Sequence, residues 1–245
     1  ELRYLLAKAN VDCEPVLTDP TRPTTVKTRI IAHDQHVVRI DEEDTTPVAP
    51  RIAAEIASRA EEAMENSDAV LISDYAKGAM TPEVLRRIIQ AAKQSGKPVV
   101  VDPKGHDWSI YAGATVIKPN RGELAALTGL AVRNHADAIS AARRLMAAMG
   151  STAVVVTEGK EGMTFLAPDG PERTFPAYAR QVYDVTGAGD TVSATLTLAL
   201  ASGATLEEAV WLSNVAASLA VAEVGTVAVS RERLAAAVEL APDPA

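Results

Sequence analysis

The sequence predicts an α/β protein, a three-layer sandwich whose mainly parallel sheet is flanked by helices, with a small β-hairpin lid. Three observations lead there. From residue 50 onward, short apolar runs alternate with stretches of helical periodicity, the pattern of repeated βα units. The runs at 68–73, 98–102, 114–118 and 152–157 are apolar nearly throughout, as strands covered on both faces are. Near the amino end, two β-branched runs at 24–31 and 36–41 are joined by Ala32-His-Asp-Gln35, which reads as a hairpin.

In chain order, the opening residues Glu1-Leu-Arg-Tyr-Leu-Leu-Ala-Lys-Ala form an amphipathic pattern that starts without Met, so a preceding segment is expected. Residues 11–17 read as a short strand, and Pro20 and Pro23 as a break. In the hairpin, period-2 alternation puts Lys27, Arg29 and Ile31 on one face of the first strand and Val37, Arg39 and Asp41 on one face of the second. Those basic residues suit either a flap that closes over a phosphate or sugar, or the solvated face of an edge hairpin. His33 and His36, at the turn, are expected in solvent. Helices are expected at 50–65 and from Thr81, with Pro82 in the first turn, to Lys93. Further helices follow at 120–128, 137–149, 191–202, 206–222 and 231–240, and the runs at 162–166 and 173–177 resemble an antiparallel pair.

The bulk numbers narrow the chemistry. The 245 residues suffice for a substantial core. Hydrophobic content of 47% with 23% charged residues is ordinary for a globular chain. With 24 basic and 32 acidic residues, the net charge of −8 disfavours nucleic acid as the partner, and an anionic substrate has to be held by local basic groups. The single cysteine, Cys13, excludes an intrachain disulfide and reads as a small hydrophobe in a reducing compartment. No apolar run reaches membrane-spanning length and no signal-peptide pattern is seen, so the cytoplasm is the expected compartment and no membrane partner is expected.

Parallel sheets bind ligands beyond the carboxyl ends of their strands. Four strand ends here are polar or glycine-rich: Ser73-Asp-Tyr-Ala-Lys-Gly78, Asp102-Pro-Lys-Gly105, Lys118-Pro-Asn-Arg-Gly-Glu123 and Thr157-Glu-Gly-Lys-Glu-Gly162. The stretch that organises them is Asp184-Val-Thr-Gly-Ala-Gly-Asp190-Thr191, leading into a small-residue helix expected to begin near Val192. Gly187 and Gly189 let backbone N–H groups crowd together, and the helix N-terminus adds its positive end, which makes an anion site. A carboxylate there is electrostatically awkward unless it takes a proton from an attacking hydroxyl. The competing reading is an Asp N-cap after a glycine-rich loop.

Together these segments resemble the ribokinase-like carbohydrate kinases, whose signature D-x-x-G-A-G-D is matched from Asp184 to Asp190. The resemblance implies a ribokinase-like fold in one kinase domain over 1–245, with the lid hairpin at about 22–43. It implies that Asp190 is the base toward the acceptor hydroxyl, and that the amides of Gly187, Ala188 and Gly189 surround the transferred phosphoryl. Asn120 and Glu123 match N-x-x-E, which organises Mg²⁺ and phosphate through water, although the spacing also fits a capping box. Thr157, Gly159 and Gly162 match the T-x-G-x-x-G turn beside the ATP phosphates. Asn214 falls on the helix bordering the adenine, with Gly225 and Thr226 on the loop after it. Asp184 and Thr186 become candidates to hold K⁺, with a structural role the alternative for Asp184.

Within the family, the stretches from Arg22 to Ile31, Arg39-Ile-Asp41, Ser73 to Gly78, Val101 to Gly105 and Ile117-Lys-Pro-Asn120 look closest to the heptose 7-phosphate kinases. That resemblance implies phosphorylation of O1 of D-glycero-β-D-manno-heptose 7-phosphate, on the route to ADP-heptose and lipopolysaccharide. Lys104 is then the expected contact for the substrate's own phosphate, aided by Lys77, Arg29 or Arg39, while Asp74 and Asp102 accept from sugar hydroxyls. The alternatives are another ribokinase-like sugar kinase and a non-catalytic nucleotide-binding module. Relatives pair their hairpins in a homodimer, which is expected here too. The family's first strand with its acidic sugar-binding residue, and a following Gly-Gly-Asn segment, are not matched, so the chain corresponds to roughly the C-terminal three quarters of the domain. On that ground, the 245-residue chain alone is expected to have little kinase activity. No H-x-G-H segment of an adenylyltransferase is present in it.

Overall fold

The computed structural model describes residues 1–32, 35–150, 152–168, 170–178 and 182–241, with the side chains of Ile31, Gln35 and His36 outside the described set. The expectation for His33 and His36 therefore falls outside the described residues. The chain divides into two compact units, Glu1–Glu65 with Ala76–Ile88, and Asn66–Tyr75 with Ile89–Ala245.

The first unit contains α1 (Leu2–Lys8), the strands β1 (Val26–Ala32) and β2 (Gln35–Glu42), helix α2 (Pro50–Met64) and the first turns of α3 (Pro82–Gln94). β1 and β2 form the expected antiparallel pair, with Lys27 opposite Asp41 and Arg29 opposite Arg39. Directly opposed residues share a face, so these four form one polar row. The register shifts between Ile30 and Ile31, leaving Val37 as the extra residue of a bulge outside the Arg39–Asp41 alternation. The strand expected at 11–17 does not form. Asp12 accepts the Glu14 N–H at 2.9 Å and Val16 N–H reaches the Cys13 carbonyl at 3.1 Å, so local turn bonds take the groups a ladder would need. Arg22 pins the following chain by donating to the carbonyls of Asp44 (2.7 Å), Thr46 (3.0 Å) and Lys77 (3.1 Å).

The second unit carries a six-stranded sheet in the order β3 (Val70–Ser73), β4 (Val99–Asp102), β5 (Val116–Ile117), β6 (Ala153–Thr157), β7 (Met163–Leu166) and β8 (Arg173–Phe175). The first four strands run parallel and the last two extend the sheet antiparallel. Around it lie α4 (Arg121–Thr128), α5 (His135–Met149), α6 (Ala188–Ala201), α7 (Leu206–Ala220) and α8 (Arg231–Val238). α6 packs on β3 and β4, α7 on β7 and β8, and α5 on β6 and β7. Val100, Val116, Val155 and Phe165 from four strands meet Val192, Leu196, Ala209 and Val210 from α6 and α7 in one core cluster. The alternate residues Val154 and Val156 are equally buried, so both faces of β6 are covered. This is the mainly parallel, helix-flanked sheet that the apolar strand runs predict. Among the described residues, no helix is long and apolar enough to cross a membrane.

The turn between β6 and β7 holds two glycines with different reasons to be glycine. Gly162 has φ +97°, and a Cβ there would lie 2.0 Å from the Phe175 carbonyl oxygen and 2.7 Å from Ala177 N. Gly159 has φ +61° with nothing within 4 Å of its would-be Cβ. Gly159→Ala should cost about 1 kcal/mol of left-handed strain, and Gly162→Ala about 3 kcal/mol or more, because backbone must move. In thermal unfolding the first should lower Tm by about 2–4 °C and the second by at least twice that.

Candidate active site

The carboxyl ends of β3, β4, β5 and β6 deliver Asp74, Asp102, Lys118 and Thr157 to the wall of one cavity of about 710 Å³ in the second unit. The start of α6 lines the same cavity. The helix begins at Ala188, four residues before the expected Val192, because Gly187 adopts φ +80° and acts as the N-cap. A Cβ on Gly187 would meet Thr226 Cγ2 at 2.9 Å, so both conformation and space demand glycine. Asp190 thereby becomes the third residue of the helix, exposed at the cavity, where a carboxylate is favoured by the helix dipole. Ala188 spends its N–H on the Val185 carbonyl (3.2 Å), so the first-turn amides that no helical carbonyl can reach are those of Gly189 and Asp190. Asp190 Oδ1 accepts from the Tyr75 hydroxyl at 3.2 Å. Burial and the Asp190 charge raise the Tyr75 pKa, which keeps the phenol a donor at neutral pH.

Beneath the α6 N-terminus lies an ion pair. Lys118 Nζ sits 3.1 Å from Asp102 Oδ2, and its side chain is only 3% exposed. The same oxygen accepts from Ser193 Oγ on α6 at 2.9 Å. Burial holds the Asp102 carboxyl above the usual carboxylate range, against the opposing pull of Lys118 and Ser193. Beside it, the buried Tyr111 hydroxyl lies 2.7 Å from Asp74 Oδ2 and 2.8 Å from the Lys104 carbonyl oxygen, and accepts the Lys104 N–H at 3.2 Å. One phenol thus joins the loops after β3 and β4.

The N-x-x-E segment adopts the capping box its spacing allows. Asn120 Oδ1 accepts from Glu123 N and Glu123 Oε2 from Asn120 N, both at 2.9 Å. Glu123 Oε1 takes the Lys104 ammonium at 2.9 Å, with Lys104 itself 52% exposed. An isolated bridge pairs Asn120 with Thr157, which brings this segment alongside the T-x-G-x-x-G turn. The buried Glu158 fastens the two. It accepts from Arg121 Nε (3.0 Å) and Nη2 (2.7 Å) and from Thr164 Oγ1 (2.8 Å), and lies 3.0 Å from His135 Nδ1. At the apolar end of the cavity, Asn214 on α7 donates to the Pro176 carbonyl at 2.7 Å, near Val182, Val185 and Val221.

The structure therefore gathers Asp74, Asp102, Lys104, Asn120, Glu123, Thr157, Gly159, Gly162, Ala188, Gly189, Asp190 and Asn214 around one cavity. Thr186, Gly187 and Gly225 stand behind it, tied together by Asp184, whose Oδ1 accepts from Thr186 N (2.9 Å) and Oδ2 from Gly225 N (3.0 Å). Arg29, Arg39 and Lys77 belong to the first unit, where Arg39 pairs with Asp41 at 2.7 Å and Lys77 with Glu43. Sequence reasoning assigned no role to Tyr75, Tyr111, Lys118 or Glu158. Tyr75, Lys118 and Glu158 do lie in the polar strand-end segments singled out above, whereas Tyr111 lies outside all four.

Comparison with known proteins agrees with this geometry. The family model described as pfkB family carbohydrate kinase matches residues 1–233. The bifunctional protein HldE of Paramagnetospirillum magneticum is 46% identical over 222 residues, covering 91% of this chain and 46% of that protein. Its namesake in Geobacter metallireducens is 44% identical over 229 residues, 94% of this chain and 47% of that protein. The chain thus spans about half the length of the relatives it matches. Among solved structures, Escherichia coli phosphofructokinase-2 in complex with potassium superposes with a TM-score of 0.78 at 24% identity, covering 98% of this chain and 77% of that one. Arabidopsis thaliana ribokinase complexed with ribose and ATP gives 0.70 at 21% identity, over 89% of this chain and 70% of that one. At such identities the structures speak for the shared fold. The family match over nearly the whole length, together with the Asp184–Asp190 signature at the head of α6, makes the chain a member of the pfkB family of carbohydrate kinases.

Proposed function

We propose that this chain is the kinase part of a cytoplasmic heptose-phosphate kinase, transferring the terminal phosphoryl of ATP to O1 of D-glycero-β-D-manno-heptose 7-phosphate. The observation that carries the reading is Asp190. It is an exposed carboxylate in the first turn of α6, facing a cavity that also holds the Asn120–Glu123 pair and the glycine turn after β6. Among the described residues its side-chain partner is the Tyr75 hydroxyl at a long 3.2 Å, which a sugar hydroxyl can replace. Asp190 takes the O1 proton as O1 bonds to the γ-phosphorus. The bond from that phosphorus to the β,γ-bridging oxygen breaks, and its electron pair leaves with ADP. Such transfer needs positioning and charge neutralisation more than covalent help. The Gly189 and Asp190 amides supply part of the neutralisation.

The residues present fit a magnesium–nucleotide complex held through water. Among the described residues no three His, Cys, Asp or Glu side chains cluster as a metal cage. Mg²⁺ typically takes one or two carboxylates, waters and phosphate oxygens instead. Glu123, with Asn120 fixing its backbone, is the carboxylate for that, and the metal when bound neutralises nucleotide phosphate charge. Asp184 remains the candidate neighbour of a K⁺ ion, although both its oxygens also serve backbone amides. Lys104 is the proposed contact for the 7-phosphate. Its pair with Glu123 is half in solvent, where such pairs contribute little and exchange readily.

In the full-length protein, Asp190→Asn should lower kcat by about 10²–10⁴-fold while ATP binding measured calorimetrically is retained. A pure nucleotide-binding module would show no turnover in the unmutated protein. A panel of free and phosphorylated sugars should give the highest kcat/KM with the 7-phosphorylated heptose; equal rates with free sugars would point to another ribokinase-like specificity.

A homodimer through the hairpin is also proposed. Val26, Ile30, Val38 and Ile40 are exposed on the ribbon face opposite the Lys27–Arg29–Arg39–Asp41 row. An uncovered apolar face on a two-stranded ribbon calls for a partner. Sedimentation should give a dimer that Ile30→Asp shifts to monomer.

A further inference from the structure

We infer that the Tyr75 hydroxyl guards the base: without sugar it takes the acceptor's place at Asp190 and keeps water there from attacking ATP. A sugar hydroxyl opens the site by displacing it. The inference rests on the kinase reading above and deepens it by naming the residue that favours sugar over water as the acceptor.

Three observations carry it. First, the phenol stands where an acceptor must stand. A hydroxyl that gives its proton to a carboxylate has to come within hydrogen-bond reach of it. The Tyr75 hydroxyl does so, donating to Asp190 Oδ1 at 3.2 Å, and both residues line the same cavity. Second, the contact is one that can be given up. It lies at the long end of the hydrogen-bond range, and Tyr75 is 53% exposed, so the ring can turn outward into solvent. Third, the turn that carries the phenol is strained. Ala76, the next residue, holds φ +52°, a left-handed conformation that an L side chain seldom adopts. Among the described residues only Asn10 shares a positive φ without being glycine. Strain of this kind persists where the surroundings require it. Here it follows directly on the side chain that reaches from beyond the end of β3 to the head of α6.

The bond acts on the base in two ways. It fills a lone-pair position of Oδ1, and by holding the negative charge it makes the carboxylate a poorer proton acceptor for water at either oxygen. Burial and the Asp190 charge raise the Tyr75 pKa, so the phenol keeps its proton and stays a donor. When the phenol leaves and no sugar is present, the reaction open to the site is hydrolysis. A water oxygen bonds to the γ-phosphorus and its proton goes to Asp190. The bond to the bridging oxygen breaks, and its electron pair leaves with ADP. Inorganic phosphate is the product, and Asp190 returns the proton to solvent. The net worth of one hydrogen bond in water corresponds to an engaged-to-free ratio of about 3–10. ATP hydrolysis and apparent affinity for sugar both require the free base, so both are held down by that one factor.

The test uses the full-length protein with Tyr75→Phe, which keeps the ring and removes the hydroxyl, and the double variant Tyr75→Phe/Asp190→Asn. Two quantities are read with ATP and Mg²⁺: phosphate release in the absence of sugar, and KM for the 7-phosphorylated heptose at saturating ATP. Tyr75→Phe is expected to raise sugar-free hydrolysis about 3–10-fold and to lower KM by the same factor. The double variant is expected to lose the extra hydrolysis. A merely structural phenol predicts the opposite sign for KM, since a loosened site binds sugar less well. A Tyr75→Phe protein with either quantity unmoved, or with KM raised, overturns the inference, as does extra hydrolysis that survives in the double variant. So does stoichiometric phosphate on Tyr75 after incubation with ATP alone, which makes the phenol an acceptor instead of a guard. If the unmutated protein turns over no sugar at all, the kinase reading falls and the inference with it. Sugar turnover in the unmutated protein with an unaltered Tyr75→Phe overturns the inference alone.

Discussion

The contact on which the site depends is the one between Asp102 and its two donors, Lys118 and Ser193. It ties β4, β5 and α6 together at the carboxyl edge of the sheet, beside the last backbone bond between the two strands, from Lys118 N–H to the Val101 carbonyl. Below that edge, the apolar cluster of Val100, Val116, Val192 and Leu196 fixes the distance between sheet and helix without orienting either end. The polar contact does the orienting. Because Ser193 lies one turn beyond Gly189, the helix that carries the glycine amides and Asp190 is indexed to the strand ends by a single carboxylate oxygen. An electrostatic site works by preorganisation, and this is its anchoring point.

A second fastening works in parallel beside the glycine turn after β6. Glu158 leaves the end of β6, and its carboxylate gathers Arg121 from the N-x-x-E helix and Thr164 from β7, with His135 of α5 alongside. The capping box of α4 fixes Glu123 in the same stroke, since the Asn120 that caps the helix also pairs with Thr157. Two motifs separated by more than thirty positions in the chain are thereby held as one surface.

These fastenings explain what was legible in the sequence. Alternating apolar runs and helical periods foretell the parallel sheet because both follow from local geometry, and the Gly-Ala-Gly segment stands out because glycine leaves a local signature. The D-x-x-G-A-G-D and N-x-x-E motifs are local for the same reason, and Ala188, Gly189 and Asp190 of the one meet Asn120 and Glu123 of the other at one cavity. Lys118, Tyr111, Tyr75 and Glu158 have no such signature. Each acts through a partner far away in the chain, as Tyr75 does with Asp190 and Ser193 with Asp102, and nothing in the flanking residues announces it. Boundaries erred where a local rule had a competitor. The Asx turn at Asp12 displaced a strand, and the positive φ of Gly187 let α6 begin four residues early.

Tyr111 has a further implication for how such pockets diversify. Its hydroxyl joins Asp74 to the backbone of Lys104, so the residues expected to face the sugar ring and the sugar's own phosphate share one hidden hinge pin. A substitution that moves one loop therefore moves the other through the phenol, so the effects of changes at the two couple instead of adding.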